Sequence, residues 1–257
     1  MDVKDKVVAV TGGGNGIGRA LAMEAHRRGA RAVAVADLDG AAAEACAAAC
    51  GGRAWSTDVG DDAAMGEFIE AAEAFAGPID VFCSNAGIHR PGGVDTSGAD
   101  WQACWDVNVM SHAYASRRLA APMAERGGYF LITVSAAGLL SQIGSATYAV
   151  TKHAALAYAE WLSITWGDRG LGVSALCPQA VRTDMIANLE DGGVAGLDGV
   201  LEPDDVARSA FDGIAAGTFL ILPHPNVAEY VRRKATDHDR WIRGMRRLQE
   251  RFGEGVG

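Results

Sequence analysis

Cysteine and proline are scarce in this sequence, and an excess of positive charge is missing. The five cysteines are odd in number and widely scattered, so they are interpreted as buried thiols of a reduced protein rather than a disulfide framework. The net charge of −9 argues against a protein that coats DNA or RNA, because such binding depends on clustered Lys and Arg. No metal site is expected, since Cys46 and Cys50 lack further ligands nearby and the six histidines do not stand at ligand spacing.

Long apolar runs are missing as well. The first ten residues carry charges where a secretory signal would have an apolar core, so a cytoplasmic location is predicted. The longest uncharged stretch, residues 127–151, is interrupted by Ser, Thr, Gln and Gly and makes a poor membrane span. Neither a membrane nor a nucleic acid is therefore expected as a partner.

What the sequence does contain is a regular alternation of short β-branched runs and Ala-rich stretches. Runs such as VVAV and VFCS are apolar on both faces, which is typical of parallel strands covered by helices on both sides. The alternation predicts an α/β fold: one doubly wound, Rossmann-type domain over residues 1–257, with a seven-stranded, mainly parallel sheet and helices on both faces. Strands are predicted at 6–11, 31–36, 53–57, 79–84, 129–134, 173–177 and 219–222, and helices at 16–28, 40–50, 61–75, 100–126, 148–168 and 204–216.

Residues 184–202 depart from this alternation. They form a loop punctuated by glycine, which is predicted to be a substrate lid, with mobile filler as the alternative. Its apolar side chains favour a small and mainly apolar substrate, although lids also carry such residues to close on the protein itself. They are Met185, Ile186, Leu189, Val194, Leu197 and Leu201.

Residues 224–257 form a second departure, a C-terminal helical extension with one long helix predicted from about 227 to 251. Apolar residues recur at helical spacing at Val231, Trp241, Ile242, Met245, Leu248 and Phe252. The segment carries eight Lys and Arg against five Asp and Glu, so the rest of the chain has a net charge of −12. Its basic stripe is interpreted as a solvated face on a helix that docks against the acidic body or a neighbouring subunit, with nucleic-acid or membrane binding as the alternative.

A glycine-rich turn follows the first predicted strand. Thr11-Gly-Gly-Gly-Asn-Gly-Ile-Gly18 stands between a strand and a helix, where backbone can approach a pyrophosphate and the helix N-terminus offers N–H groups. Asp37 ends the second strand, where a carboxylate accepts hydrogen bonds from ribose hydroxyls and repels a 2′-phosphate. The neighbouring Asn15 and Leu38 are not basic, so NAD is favoured over NADP. There are two alternatives. Arg19 reaches this site and permits NADP, or Asp37 is an ordinary turn or cap residue.

Tyr148 and Lys152 form the second constellation. Their spacing places them one turn apart on one helix face. A neighbouring ammonium favours the phenolate and lowers the pKa of a tyrosine, which then acts as acid or base. Ser135, at the end of the fifth strand, is placed to hydrogen-bond a substrate oxygen beside the tyrosine. Alone, a Tyr–Lys pair at this spacing is usually an ordinary helix surface.

The order and spacing of these pieces identify a family. The sequence resembles the short-chain dehydrogenase/reductase family over about residues 6–222. The matching motifs are Thr11 to Gly18, Asp58-Val59, Asn85-Ala86-Gly87, Asn108, Ser135, Tyr148-x-x-x-Lys152, Pro178 and Thr183.

The resemblance implies a role for each position. Tyr148 moves the proton at the substrate oxygen, Lys152 lowers its pKa and binds the nicotinamide ribose, and Ser135 orients the substrate oxygen. Asn108 holds a water that relays protons from Lys152 to solvent. The resemblance also implies the cofactor contacts. They are Gly12, Asn15, Gly16, Ile17, Gly18, Asp37 and Leu38 at the dinucleotide, Asp58 and Val59 at the adenine, Asn85, Ala86 and Gly87 beside the cofactor, Tyr148 and Lys152, and Pro178, Val181 and Thr183, of which Val181 and Thr183 meet the nicotinamide carboxamide.

One residue departs from the family pattern. Gln179 stands where the family usually has glycine after the proline. Either this position needs a positive φ and Gln is strained there, or the side chain reaches into the nicotinamide or substrate pocket. His89, in a loop near the predicted site, is either a substrate contact or a surface residue.

The predicted function is an NAD-dependent oxidoreductase that interconverts a secondary alcohol and a ketone, its small-molecule substrate, with alcohol oxidation as the physiological direction. An NADPH-dependent carbonyl reductase and a non-catalytic cofactor-binding regulator are the alternatives. A homo-oligomer, either a dimer or a tetramer, is also predicted, because helices 100–126 and 148–168 carry apolar residues on more than one face, among them Trp161 and Trp166.

Overall fold

Seven parallel strands form the centre of the protein. The computed structural model describes residues 1–187 and 190–252, without the side chains of residues 190 and 191. The strands run in the order β3-β2-β1-β4-β5-β6-β7, and each neighbouring pair is parallel. Their bounds are β1 Val7–Thr11, β2 Ala32–Asp37, β3 Arg53–Ser56, β4 Val81–Ser84, β5 Tyr129–Thr133, β6 Gly172–Leu176 and β7 Leu220–Ile221.

Helices connect the strands and cover both faces of the sheet. They are α1 Gly16–Arg27, α2 Gly40–Cys50, α3 Asp62–Ala76, α4 Gly98–Trp105, α5 Ser111–Glu125, α6 Ala137–Leu140, α7 Ala146–Trp166, α8 Pro203–Ala216, α9 Asn226–Thr236 and α10 His238–Phe252. The predicted fold, a doubly wound parallel sheet with a helical C-terminal region, is thus confirmed. Among the described helices, none is long and apolar enough to cross a membrane.

Alternate residues of the strands point to opposite faces of the sheet and belong to two separate hydrophobic cores. Val7 and Ala9 of β1 pack with helices α3, α5 and α7, whereas Val8 and Val10 pack with α1, α2 and α8. All four side chains are fully buried. This explains why the run VVAV has no polar face: a parallel strand covered on both sides must be apolar on both sides.

The predicted helix 100–126 is interrupted. A π-helical turn at Asp106–Met110 separates α4 from α5. Such a turn inserts an additional residue into the helix and is frequent at functional sites. Here it contains Asn108, which is fully buried.

The predicted single helix over 227–251 is wrong, because two helices stand there. Asp237 has an extended backbone and separates α9 from α10. Its Oδ1 accepts a hydrogen bond of 2.8 Å from the backbone N–H of Arg240, which is the geometry of an N-terminal cap. An Asp inside a helical pattern competes for the local backbone in this way, so apolar periodicity alone does not reveal the break.

Residues 184–202, the predicted lid, include two short 3₁₀ turns, Asp184–Ile186 and Glu190–Gly196. A parallel bridge between Val181 and Leu201 holds the two ends of this segment together. The predicted lid residue Leu189 lies outside the described residues. A segment with paired ends that contains its own turns is a compact loop placed over the carboxyl edge of the sheet.

The sheet also fixes where a ligand can enter. The chain runs from β1 outward to β3 on one side, then returns to β4 beside β1 and continues to β7 on the other. The crossover connections therefore diverge between β1 and β4 and leave a crevice at the carboxyl ends of these strands. In open α/β sheets, ligands bind at this crevice.

Candidate active site

A cavity of about 1790 Å³ opens at the carboxyl ends of the strands. Its wall runs from the glycine-rich turn after β1, past the end of β5 and helix α7, to helices α9 and α10. Nearly all the predicted site residues line it. The exception is Asn108, which is buried behind the wall.

The glycine-rich turn leaves no room for side chains. Gly12 and Gly16 have φ of 62° and 52°, in the left-handed region. A Cβ on Gly12 would lie 2.8 Å from the Cα of Ala86, and one on Gly16 would lie 2.9 Å from Cγ2 of Thr183. Asn15 precedes α1 in an extended conformation, and its side chain makes no cap hydrogen bond. The N–H groups of the first turn of α1 therefore remain available for an anion such as a phosphate.

Asp37 is held in a fixed orientation at the end of β2. Its Oδ2 accepts a hydrogen bond of 2.9 Å from Gly14 N, and its Oδ1 accepts one of 3.0 Å from Asp39 N. Each carboxylate oxygen keeps a further lone pair that can accept from a hydroxyl. Arg19, the alternative partner for a 2′-phosphate, lines a separate depression of about 350 Å³.

Residues Asn85 to Gly87 join three strand ends. Asn85 Nδ2 donates to the carbonyl oxygens of Thr11 and Gly12 at 3.1 and 3.3 Å, and its Oδ1 accepts from Thr133 Oγ1 at 3.0 Å. The Asn85 side chain thus links the carboxyl ends of β1, β4 and β5. It fixes the floor of the crevice from which the glycine-rich turn rises.

Asp58 and Val59 occupy the rim of the cavity next to Asp37. Asp58 is exposed, and its Oδ1 accepts from Gly60 N at 2.9 Å, whereas Val59 is buried. On the opposite rim, the Pro178 carbonyl accepts from Ala136 N at 2.8 Å. Val181 is buried in the core, so a ligand reaches it chiefly through its backbone.

The three predicted catalytic side chains meet in the middle of the cavity. Ser135 follows β5 with a φ of 135°, a conformation that costs a non-glycine residue of order 1–3 kcal/mol and that clusters at functional sites. Its hydroxyl accepts a hydrogen bond of 3.1 Å from Ala137 N. Tyr148 and Lys152 lie one turn apart on α7, and Lys152 Nζ is 5.6 Å from the centre of the Tyr148 ring. Helix α7 is fixed at its start by Ser145, whose Oγ accepts from Tyr148 N at 3.2 Å.

The environment of Tyr148 raises its pKa, whereas the sequence predicts that it is lowered. Burial raises the pKa of the Tyr148 phenol, a hydrogen bond from Ser135 partly offsets this, and the thiol of Cys177 raises it further. The lysine does not reverse the shift, because its ammonium group faces the ring and donates to the Thr133 carbonyl at 2.9 Å. A charged partner at this position therefore does not by itself make the phenol acidic.

Lys152 is itself a perturbed group. It is 2% exposed, and burial lowers its pKa from 10.5 to about 8. It remains mostly protonated at neutral pH and loses its charge just above it. A lysine poised in this way, within a cavity, is typical of functional sites.

The side-chain amide of Asn108 makes three hydrogen bonds within the protein. Its Nδ2 donates to Ile88 O at 2.9 Å and to Thr151 Oγ1 at 3.0 Å, and its Oδ1 accepts from Ile88 N at 2.8 Å. A Cβ on Gly87 would lie 3.3 Å from both Asn108 Oδ1 and Lys152 Nζ. The missing side chain at Gly87 thus leaves a gap between these two polar atoms.

Two histidines near these residues were not predicted as site residues. His112, one turn after Asn108, is fully buried, and its Nδ1 is 2.7 Å from Ser84 Oγ. Burial and the charge of Lys152 lower its pKa to about 3, so it is neutral. His89 lines the cavity and packs edge-on against Tyr148, with ring centres 5.2 Å apart. The sequence signal for His112 is its position four residues after Asn108, which places it one helical turn further along. The loop position of His89 does not distinguish a substrate contact from a surface residue.

Gln179 adopts an ordinary backbone conformation. Within the described part of the chain, the non-glycine residues with positive φ are Asp5, Ser135 and Ser141. The predicted alternative of a strained Gln179 is therefore wrong, and the other, a side chain at the cavity, agrees with the structure. Its backbone N–H donates to His224 Nδ1 at 3.1 Å. Its buried Oε1 has no hydrogen-bond partner within the described residues.

Comparisons with known proteins agree with this geometry. A family model for short chain dehydrogenases matches residues 6–193. A 1-deoxy-11-beta-hydroxypentalenate dehydrogenase of Streptomyces exfoliatus is 32% identical over 232 residues, covering 86% of this chain and 84% of that protein. A solved short chain dehydrogenase/reductase from Burkholderia phymatum, in complex with NAD, has a TM-score of 0.85 and 28% identity, covering 93% of this chain and 96% of its own. A 3-ketoacyl-(acyl-carrier-protein) reductase from Brucella melitensis, complexed with NADH, has a TM-score of 0.79 and 26% identity, covering 86% and 96%.

Proposed function

The chain belongs to the short-chain dehydrogenase/reductase family, and from this premise we propose that it is an NAD-dependent enzyme that interconverts a secondary alcohol and a ketone. Oxidoreductase chemistry at an alcohol or ketone follows from the family itself. The finer assignment depends on one observation: Ser135, Tyr148 and Lys152 converge in the same cavity as Asp37 and the glycine-rich turn.

The residues present fit a dinucleotide. The tight turn at Gly12, the uncapped first turn of α1 and the fixed carboxylate of Asp37 offer a pyrophosphate and a ribose diol their usual partners. When bound, the oxidised nicotinamide supplies the hydride acceptor and a positive charge. The chain's own residues orient the substrate and remove or donate the proton at its oxygen.

Tyr148 is the proposed general base in alcohol oxidation. It takes the proton of the substrate hydroxyl, while the Ser135 hydroxyl donates a hydrogen bond to the same oxygen and holds it in place. Lys152, whose Nζ lies 5.6 Å from the centre of the Tyr148 ring, would bind the nicotinamide ribose and take part in the proton's exit. His89 packs against the Tyr148 ring and limits its rotation.

The proton then has a short route away from the tyrosine. Lys152 Nζ and Asn108 Oδ1 both border the gap at Gly87, where a water would bridge them. Because the amide N–H groups of Asn108 are already engaged, such a water binds to an oxygen of this residue. Lys152, with its pKa near 8, accepts and releases the proton near neutral pH.

The raised pKa of Tyr148 gives the reaction a pH dependence. Alcohol oxidation needs the phenolate, whose share grows with pH, whereas ketone reduction needs the phenol. We therefore expect oxidation to be faster at alkaline pH and reduction at neutral or acid pH. Initial rates in both directions across the pH range measure this.

The substrate is proposed to be small and mainly apolar. Val194 and Leu197 of the lid and Trp241, Met245 and Leu248 of α10 line the cavity beyond Tyr148. The relative from Streptomyces exfoliatus is named for a hydroxypentalenate, an alcohol. This pairing of an apolar wall with the Tyr–Ser centre suits an alicyclic or aliphatic secondary alcohol.

A homo-oligomer, a dimer or tetramer, is also proposed. Trp161 and Ile164 on α7 are 53% and 81% exposed, and Trp105 on α4 is 40% exposed. Large apolar side chains exposed on neighbouring helices are typical of a subunit interface. A lower molecular mass in solution for Ile164→Arg than for the unchanged chain tests this. The cytoplasmic location stays a prediction.

Tyr148→Phe tests the proposed function. The variant keeps the ring and loses the proton-transferring hydroxyl, so we expect turnover of secondary alcohols with NAD to fall by about 10²–10⁴-fold. The Kd for NADH, from tryptophan fluorescence, should stay within about twofold, because the variant keeps the aromatic ring and leaves the glycine-rich turn, Asp37 and Lys152 in place. Turnover that survives this change would contradict the catalytic role, and loss of NADH binding would show a disrupted fold instead.

A further inference from the structure

Helix α10 presents two parallel stripes of side chains to the cavity. Both stripes follow the spacing of four, three and four residues that keeps positions on one helix face. One stripe is apolar and consists of Trp241, Met245, Leu248 and Phe252, and the other consists of Arg240, Gly244, Arg247 and Arg251. We call the second the arginine stripe. Arg243 and Arg246 of the same helix do not line the cavity.

The three arginines of the stripe have no acidic partner within the described residues. Arg232 and Arg233, on the neighbouring helix α9, differ in this respect, because both pair with Glu229. Arg240, Arg247 and Arg251 are exposed, and no carboxylate forms an ion pair with any of them in the described part of the chain. What distinguishes these three arginines from Arg243 and Arg246 is their place in the cavity wall, where three cations without an ion-pair partner among the described residues lie on one helix face.

Two of the acidic residues that line the cavity near α10, Asp237 and Asp198, are already engaged in other hydrogen bonds. Asp237 caps α10 through the backbone of Arg240. Oδ1 of Asp198 accepts hydrogen bonds of 2.9 Å from Asn226 Nδ2 and from the Tyr230 hydroxyl. A third, Asp184, lies at the start of the lid, is exposed and also lines the cavity. Within the described residues, none of these three carboxylates forms an ion pair with the arginine stripe.

Glycine at position 244 opens space within the stripe. A glycine inside a helix destabilises it by about 1 kcal/mol relative to alanine, so its presence calls for a reason. A Cβ at this position would meet nothing nearer than Arg247 Nη2, at 3.7 Å. The bare backbone leaves a recess between Arg240 and Arg247.

Helix α10 is fixed against the body of the enzyme. Trp241 packs with Leu140 and Val227, and Lys234 Nζ of α9 donates to the Leu139 carbonyl at 2.7 Å. Helix α10 also touches the lid turn Glu190–Gly196. The arginine stripe is therefore held in the wall of the same cavity that Tyr148 lines.

We propose that the substrate carries an oxyanion, a carboxylate, which the arginine stripe binds while its apolar body lies against Trp241, Met245 and Leu248. Guanidinium groups bind carboxylates through paired, charge-assisted hydrogen bonds, and the adjacent apolar stripe excludes water from one side. This inference deepens the proposed function and rests on it, since it names the class of alcohol that enters the same site: an apolar hydroxy acid.

The test compares matched ligands on the whole chain loaded with NADH. Alicyclic carboxylates of one to three rings and the corresponding carboxamides are titrated against tryptophan fluorescence. We expect carboxylates to bind about tenfold more tightly than carboxamides, with a preference that weakens as salt rises. Arg247→Gln combined with Arg251→Gln should abolish the preference. The control is Arg243→Gln with Arg246→Gln, which removes the same charge from the outer face and should preserve it.

Each other outcome contradicts the proposal. Absence of a carboxylate preference, including absence of binding by any member of the series, overturns it. An equal loss in the control variant shows a general charge effect instead of a site. A weaker Kd for NADH in the Arg247 and Arg251 variant assigns the stripe to the cofactor phosphates. Because these are binding measurements, they remain informative even if Tyr148→Phe were to retain activity and the proposed function were to fail.

Discussion

The two ends of the cavity are built in different ways. At the end proposed for the dinucleotide, which we call the dinucleotide end, backbone makes the site: Gly12 and Gly16 at positive φ, the first turn of α1 and the strand ends joined by Asn85. At the substrate end, side chains on α10 and the lid make it. The family model covers the first end and stops at residue 193, before α9 and α10. A backbone site tolerates almost no substitution, whereas a side-chain site changes specificity one residue at a time.

Gly12→Ala should give the largest effect and disable the dinucleotide end. The new Cβ lies 2.8 Å from Ala86 Cα, and the residue must also hold a φ of 62°. We expect the Kd for NADH to rise by more than about 100-fold, because the turn must shift away from the phosphates. Fluorescence titration measures this. Gly51→Ala is the matched control, since Gly51 has a φ of 63° with nothing within 4 Å of a Cβ and lies away from the cavity.

Lys152→Met should reveal the energetic cost of the buried lysine. The folded pKa of Lys152, about 8, lies below its ordinary 10.5, so between these values the unfolded chain binds more protons than the folded one. The unchanged protein therefore gains stability from this group as pH rises through that window, by about 2–3 kcal/mol. Urea unfolding at neutral pH and near pH 10 should show this gain, and the methionine variant should lack it. An identical pH profile for the two proteins would contradict the lowered pKa.

Trp241→Ala should loosen the substrate end alone. Trp241 anchors α10 to Leu140 and Val227, so its removal frees the helix that closes the cavity. We expect KM for the substrate to rise about tenfold, while the Kd for NADH stays unchanged. Ile242→Ala is the control, because Ile242 is on the same helix, is 39% exposed and does not line the cavity. A parallel loss of NADH binding would show that the two ends are not independent.

Gly87→Ala should give the smallest of these effects. The added methyl group would sit 3.3 Å from both Lys152 Nζ and Asn108 Oδ1, in the gap proposed for a bridging water. We expect kcat to fall a few-fold with a larger solvent isotope effect, and KM and the Kd for NADH to be little changed. An unaltered isotope effect would mean that proton release does not pass through this gap.

The same comparison explains what the sequence predicts well. The strand and helix alternation, the glycine-rich turn and the Tyr–Lys spacing depend on local backbone rules, and the structure brings these residues together at one edge of the sheet. Gln179 shows where such rules stop. A choice between a strained backbone and a side chain at the cavity requires the φ of Gln179. That angle depends on how the loop packs against His224, which the local sequence does not determine.

The predictions that failed have two physical causes, burial by residues distant in sequence and a local cap. The pKa of Tyr148 depends on burial by residues distant in sequence, so a neighbour four residues away could not determine it. The break at Asp237 depends on a cap that competes with the helical pattern. The arginine stripe appeared in the sequence only as a basic face, because its partner surface is a cavity wall formed by other elements.

Parallel fluorescence titration of the whole chain with NADH and NADPH tests the central claim most directly. Asp37 is fixed by Gly14 and Asp39 at the end of β2, and in the proposed function it accepts from a ribose diol and repels a 2′-phosphate. We predict that NADH binds at least about tenfold more tightly than NADPH and that Asp37→Ala removes most of this difference. Equal or tighter binding of NADPH by the unchanged chain would contradict the assignment of an NAD-dependent enzyme.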